Sequence, residues 1–216
     1  MRRFAIVALL PVLAAAPVSA QGPGQFAQSG KFVAGNLVAA DMGRCLLKRD
    51  RRQAVLLVDL DPATPAYQTL AGRIEQPMIA CLNGRRSASI SSFYLRGAIS
   101  EALLRENDGA ILRAVGGRAS VPAQRVLVAS ETDAVPAVVA CAVKADPANA
   151  AAMIAAQAAT APEMDAFRKL APSLQSCVPA SGSVTLRRPT VRPGVAIALY
   201  RLGRGAAVSP SSNGAN

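Results

Sequence analysis

Two cysteine pairs with the same spacing constrain the fold of this 216-residue chain more than any other feature. Cys45 and Cys81 are 36 residues apart, as are Cys141 and Cys177, and a shift of 96 residues superposes the two pairs. Over residues 45–105 the same shift gives 12 identities in 61 positions without a gap. Such a regular match indicates an internal duplication. The sequence therefore predicts two related copies with a period of about 96 residues.

The four cysteines are expected to form two disulfides. Four cysteines permit three pairings. The duplication favours Cys45–Cys81 and Cys141–Cys177, because a single ancestral copy had only those two partners. Each bridge would stabilise the fold by at most roughly 4 kcal/mol through loop closure. The alternative is a metal site of four thiolates, but no two cysteines have the short spacing typical of zinc sites and the chain has no histidine. We expect no metal and no cofactor.

Each copy is predicted to contain four helices. Apolar residues at helical spacing surround the first cysteine of each copy. Asp50 and Asp146 are the expected N-caps of the second helices. Thr64 and Thr160 are expected to cap the third helices, Thr160 in a capping box with Glu163. The predicted fold class is all-α, with two tandem four-helix repeats that each contain one disulfide.

The first twenty residues have the pattern of a secretory signal peptide. Arg2 and Arg3 precede a mostly apolar stretch, and Val18-Ser19-Ala20 offers the small residues needed for cleavage after Ala20. A membrane anchor is the alternative, but about 13 apolar residues are fewer than the ~20 that span a bilayer. We expect cleavage, a mature chain without a transmembrane segment, and a periplasmic or secreted location. Disulfides persist in such oxidising compartments.

The chain is expected to consist of five segments. The region after residue 105 contains Gly109, Gly116-Gly117 and Pro122, and the C-terminal end is rich in Gly, Ser and Asn. The predicted segments are a signal peptide (1–20), helical repeat 1 (21–105, called copy one), a connector with room for one short helix (106–131), helical repeat 2 (132–202, called copy two) and a disordered tail (203–216).

The absence of histidine excludes many catalytic mechanisms. No Ser-His-Asp triad, Cys-His pair or histidine base can form. An enzyme would need carboxylates, lysine or cysteine, and Glu101 is the best placed carboxylate. It precedes Arg105 by one helical turn, so an ordinary surface ion pair accounts for it. We expect no catalytic residue and no enzyme.

Two arginines, Arg96 and Arg192, occupy the same position in the two copies, at the entrance of the fourth helix. The structural interpretation is that each guanidinium binds loop carbonyls or a carboxylate inside its own copy. The functional alternative is an anion-binding position at a helix N-terminus, where backbone amides assist the guanidinium. The sequence favours the structural interpretation and leaves the alternative open.

The order Cys, Asp-Pro, Cys, Leu-Arg-Gly, Glu-Ala-Leu occurs in full in copy one. In this order the chain resembles small exported helical repeat proteins of alphaproteobacterial type, to which no function is assigned. Copy two departs from the order, because Val191-Arg192-Pro193 replaces Leu-Arg-Gly and Ile197 stands in the place of Glu101. The resemblance implies a helical architecture and no specific activity.

The charge favours anionic partners. Without the predicted signal peptide, 22 Lys and Arg face 13 Asp and Glu, a net charge of 22 − 13 = +9. We expect a binding or structural role at the cell envelope, with an anionic envelope surface or an acidic protein as partner and no nucleic acid. One alternative is a periplasmic carrier of a small apolar ligand, and another is a carboxylate-based glycan-active enzyme. The oligomeric state stays open.

Overall fold

The computed structural model describes residues 39–82, 90–127, 131–180, 184, 186 and 188–207. The predicted signal peptide lies outside these residues, as does the end of the predicted tail. All regular structure in the described ranges is helical, which confirms the all-α prediction. The helices are α1 (residues 39–49), α2 (Arg51–Asp59), α3 (Pro65–Ala80), α4 (Ser92–Gly116), α5 (Glu131–Ala145), α6 (Pro147–Ala155), α7 (Ala161–Cys177) and α8 (Arg188–Ala207).

Both predicted disulfides are present. Cys45 on α1 is bonded to Cys81 directly after α3, and Cys141 on α5 is bonded to Cys177 at the end of α7. Cys81 and Cys177 are buried. Each bridge therefore fastens the first helix of its copy to the end of the third.

The second helices begin as predicted. The Asp50 carboxylate accepts a hydrogen bond from the Gln53 backbone N–H at 3.0 Å, and the Asp146 carboxylate accepts one from Asn149 at 3.1 Å. Each cap satisfies one of the four N–H groups that the first turn leaves without a helical partner. The structure confirms both N-caps.

The third helices begin differently from each other. Thr64 accepts a hydrogen bond from the Tyr67 backbone N–H at 3.3 Å. The capping box predicted for Thr160 is wrong, because its hydroxyl donates to the Gln157 carbonyl instead. The Glu163 carboxylate accepts from the Ala159 N–H at 2.6 Å and is buried. Glu163 also accepts a hydrogen bond from the buried Arg192.

The two copies pack against each other mainly through their fourth helices, α4 and α8. At their crossing Gly97 touches Pro193, the residue 96 positions later; a Cβ built on Gly97 would lie 2.3 Å from the Pro193 Cβ. Arg105 Nη2 donates to the Ile154 carbonyl at 2.5 Å. The corresponding Arg201 Nη2 contacts the Val58 carbonyl at 3.4 Å. These matched contacts support the duplication, which itself stays a prediction.

Within each copy, the first and fourth helices touch at equivalent positions. A Cβ built on Gly43 of α1 would lie 2.6 Å from the Ala98 backbone of α4. In copy two the glycine is on the other helix, and a Cβ built on Gly194 of α8 would lie 3.2 Å from Val139 of α5. Both pairs bring two helices close together with one glycine and one larger residue.

One predicted boundary needs correction, and the expected connector contains a helical segment. Four non-helical residues, Glu106–Gly109, begin the connector, and the chain then resumes a helical course to Gly116. Burial of Leu112 and Val115 holds this last part of α4 in place. The tail was expected from residue 203, yet α8 continues to Ala207. The reason is that Gly203 packs against Ile111 and Val115, where a built Cβ would approach Ile111 to 2.8 Å.

In the part of the chain that the structure describes, no single helix is long and apolar enough to cross a membrane. Residues Ala134–Ala145 and Pro147–Ala155 reach that length only as a pair, and the two helices are bent by 108° relative to each other.

Candidate functional site

Arg96 on α4 is buried and binds the end of α2. Its Nε donates to the Leu57 carbonyl at 3.0 Å, and its Nη2 donates to the carbonyls of Val58 at 3.0 Å and Leu60 at 3.1 Å. The guanidinium carbon lies 5.9 Å from the centre of the Tyr67 ring. Burial lowers the pKa of the Arg96 guanidinium below its ordinary value, and the charge of Arg201 lowers it further.

Arg192 on α8 binds the end of α6 in the same way. Its Nη1 donates to the Met153 carbonyl at 2.8 Å, and its Nη2 donates to the Ala156 carbonyl at 3.0 Å. These carbonyls are 96 positions beyond Leu57 and Leu60. The two arginines thus satisfy equivalent carbonyls at the ends of the second helices, where the helix leaves acceptors without partners.

Arg192 also has two carboxylate partners. Glu163 Oε1 accepts from Nη1 at 3.0 Å, and Glu101 accepts from Nη2 at 2.7 Å and from Nε at 3.0 Å. Burial opposes the charge of Arg192. The hydrogen bonds and charges of Glu101 and then Glu163 nevertheless raise the pKa of the Arg192 guanidinium above its ordinary value. These contacts support the structural interpretation of both arginines, because carbonyls and carboxylates surround the buried groups.

Glu101 links the two copies. The predicted ion pair with Arg105 is present at 3.1 Å, but Glu101 also reaches Arg192, 91 residues further along the chain. Sequence reasoning missed this second contact. The sequence does contain a signal for the carboxylate partners of Arg192. At two positions only one copy has a carboxylate: Glu101 corresponds to Ile197, and Glu163 corresponds to Tyr67.

An open cleft of about 880 Å³ lies between α2, α4 and α8. Most of its surface is apolar, and Leu103 and Tyr200, both buried, contribute to its floor. Leu56 and Ile111 are exposed at the cleft, at 39% and 36% of their surface. None of the functional residues predicted from the sequence lines this cleft.

Two ion pairs cross the cleft at the ends of α2. Arg51 at the start of α2 binds Glu106 through two hydrogen bonds, at 2.5 Å and 2.7 Å. The bond to Glu106 raises the pKa of the Arg51 guanidinium. At the other end Asp59 lies 3.4 Å from Arg204. The side chains are partly or largely exposed, so these pairs are weak and can open at little cost.

The cleft lies beside α2, which carries larger residues than α6. Its lining residues on α2 are followed 96 positions later by a proline and four alanines: Arg51, Arg52, Val55, Leu56 and Asp59 correspond to Pro147, Ala148, Ala151, Ala152 and Ala155. The small residues let α6 lie directly on α4, where a Cβ built on Gly116 would lie 2.9 Å from the Ala151 Cβ. The larger side chains of α2 prevent such close packing, and the cleft lies beside them.

A second, smaller cleft of about 440 Å³ adjoins the first, between α1 and α4. Arg51 and Glu106 line both clefts. The remaining charged residues of the second cleft are Arg44, Lys48, Glu101 and Arg105. The apolar cleft and a mainly basic cleft are therefore neighbours on one side of the molecule.

The residues of the two clefts offer apolar surface and charged groups to a binding partner. Within the described ranges no three His, Cys, Asp or Glu side chains are grouped so that they could hold a metal ion. No protein-family model, curated protein or solved structure matches the chain. The proposed function therefore depends on the geometry of the two clefts.

Proposed function

We propose that this protein is an exported binding protein that holds a small apolar molecule in the cleft between α2 and α8. The observation that carries the proposal is the cleft itself, with its apolar floor and its size of about 880 Å³. Ligand sites have volumes of about 300–1,000 Å³ and mostly apolar walls with a few polar groups. Here the polar groups are the ion pairs at the two ends of α2.

The rim favours an elongated occupant. The Arg51–Glu106 and Asp59–Arg204 pairs stand at opposite ends of α2, and the apolar side chains of Val55 and Leu56 lie between them. An apolar chain placed along α2 would remove this surface from water without burying an unpaired charge. Such burial contributes about 25 cal/mol per Å² of apolar area. A compact polar molecule would gain nothing from this wall.

The location follows from two supporting features. Disulfides persist in oxidising compartments, and this chain has two of them. The predicted signal peptide points to the same compartments. We propose a periplasmic or secreted protein, whose excess of positive charge keeps it near anionic envelope surfaces or acidic proteins.

A binding role is favoured over catalysis. A glycan-active enzyme would need two opposed carboxyl groups facing a substrate. Glu101 lines the second cleft, but Glu163 is buried, and both contact Arg192, so the two carboxyl groups do not face one cleft. Their charges are used to balance that guanidinium. We therefore propose that the protein is not an enzyme.

The test is binding of the uncharged fluorescent probe N-phenyl-1-naphthylamine. The protein should bind one equivalent with a fluorescence increase that saturates. Leu56→Trp fills the cleft and should weaken binding about tenfold or more, which corresponds to about 1.4 kcal/mol. Ile79→Trp is the matched control, because Ile79 is 53% exposed on α3 and does not line the cleft. Absence of saturable binding, or equal effects of the two tryptophans, would overturn the proposal.

A further inference from the structure

The basic cleft beside the apolar cleft has more positive than negative groups. Asp41 pairs with Arg44, Glu101 with Arg105 and Arg192, and Glu106 with Arg51. The cations that line the cleft are Arg44, Lys48, Arg51 and Arg105. Against the carboxylates of Asp41, Glu101 and Glu106 they leave an excess of 4 − 3 = +1. The buried Arg192 lies outside this lining and also pairs with Glu163.

Lys48 is the cation of this cleft that the carboxylates leave uncompensated. It is exposed at the end of α1, and no carboxylate among the described residues pairs with it. Its ammonium group can therefore donate to an incoming anion without breaking an existing ion pair. Charge-assisted hydrogen bonds of this kind are the stronger ones.

The same surface of copy two lacks this charge. Lys144 corresponds to Lys48, but Ala140 and Pro147 stand in the places of Arg44 and Arg51. The basic excess and the apolar cleft thus lie next to each other, on either side of the start of α2. They meet at the Arg51–Glu106 pair, which both clefts share. Because both partners are on the surface, a chain can pass this weak pair from one cleft to the other.

We propose that the ligand is a free, single-chain anionic amphiphile. Its apolar chain lies in the cleft between α2 and α8, and its acidic headgroup lies in the basic cleft, where Lys48 donates to it. This inference rests on the proposed function, since it assigns a chemical class to the occupant of the same apolar cleft. Carboxylate, sulfate and phosphate headgroups all have the required charge and acceptor oxygens.

The experiment compares three ligands of one chain length by titration calorimetry: dodecanoate, dodecan-1-ol and dodecyltrimethylammonium, each below its aggregation concentration. Dodecanoate should bind about fivefold more tightly than the alcohol, since an exposed charge pair contributes up to about 1 kcal/mol. The cation should bind most weakly. The preference for dodecanoate should fall as salt is added, because screening acts on exposed charges.

Variants locate the headgroup. Lys48→Gln should remove the preference for dodecanoate over dodecanol and leave dodecanol binding unchanged. Lys144→Gln, the same change at the equivalent exposed position of copy two, should leave both affinities unchanged. Equal effects of the two glutamines would overturn the assignment of the headgroup.

The outcomes separate this inference from the proposed function. If dodecanol and dodecanoate bind equally well and Leu56→Trp weakens both, the apolar cleft is the site and the anionic headgroup is refuted. If neither ligand binds and N-phenyl-1-naphthylamine does not bind either, the proposed function fails together with the inference. If only the naphthylamine probe binds, the inference alone is overturned. If the protein sediments with phosphatidylglycerol vesicles but does not bind free dodecanoate, the partner is a membrane surface and the inference is overturned.

Discussion

Arg96 and Arg192 occupy equivalent places in the two copies and bind equivalent carbonyls, but their charges are balanced differently. In copy one the Tyr67 ring lies near the guanidinium, and in copy two Glu163 takes that position and pairs with it. Glu101 adds a second carboxylate to Arg192 from the other copy. The contact common to both copies is the set of hydrogen bonds from the arginine to the last carbonyls of the second helix. The groups that surround the charge of the arginine differ between the copies.

A second difference concerns α2 and α6. Both helices have nine residues and an aspartate N-cap, and both end beneath the arginine of their copy. Their outer faces diverge, because α6 carries alanines where α2 carries Val55, Leu56 and charged residues. The alanines allow close packing on α4, whereas the larger residues leave the cleft. Divergence of one helix face therefore accompanies close packing of α6 on α4 and an open cleft beside α2.

The largest effect is expected when the two buried arginines are replaced. Arg192→Met removes the buried guanidinium from its ion pairs with Glu163 and Glu101 and should lower the free energy of unfolding by about 3–5 kcal/mol. Arg96→Met leaves the carbonyls of α2 without this donor but breaks no ion pair. It should lower the free energy of unfolding by about 1–3 kcal/mol. Urea denaturation of the oxidised protein measures both. Arg168→Met at an exposed pair is the control. Equal losses for the two buried arginines would contradict the comparison.

The contact between the copies is expected to give the next largest effect. Gly97→Ala places a methyl group 2.5 Å from the Pro193 Cα, so α4 and α8 must move apart at a cost of about 1–3 kcal/mol. Gly72→Ala is the control: it lies in α3 with open space around it and should stabilise the helix by up to about 1 kcal/mol. Thermal unfolding distinguishes the two. A neutral Gly97→Ala would mean that the crossing of α4 and α8 is looser than described.

Exchange of one residue between α2 and α6 is expected to give the smallest effect. Ala151→Val adds two methyl groups where α6 meets Gly116, and should destabilise by about 1 kcal/mol. Val55→Ala removes two methyl groups from a half-buried position beside the cleft and should cost less. Hydrophobicity alone predicts that Ala151→Val stabilises. If the urea midpoint of Ala151→Val is higher than that of the unmodified protein, the packing explanation for the cleft is wrong.

Local features of the fold could be predicted from the sequence. Asp50 and Asp146 act within one helical turn, so residue type and position suffice to identify them as caps. The disulfides followed from the repeated spacing of 36 residues. A short helix was expected within residues 106–131, but the sequence did not place it at residues 110–116. Asn107, Asp108 and Gly109 have left-handed backbone angles, and residues of these types commonly end a helix.

The candidate site could not be predicted, because it depends on how the copies pack. The Arg192–Glu101 contact joins residues 91 positions apart, and helical periodicity carries no information about that distance. Gly97 and Pro193 look like helix breakers in the sequence, yet they are where α4 and α8 meet most closely. The cleft itself is formed by Leu56, Ile111 and Tyr200 from three helices. Tertiary contacts of this kind determine the site.

The central claim is that the chain has one ligand site, in the cleft beside α2, and the number of ligands bound by one chain tests it most directly. Native mass spectrometry of the non-reduced protein, purified from an exporting host and titrated with dodecanoate, gives this number. The account predicts a chain lighter by four hydrogens for its two disulfides and saturation at one dodecanoate per chain. Two dodecanoates per chain, or none, would contradict it.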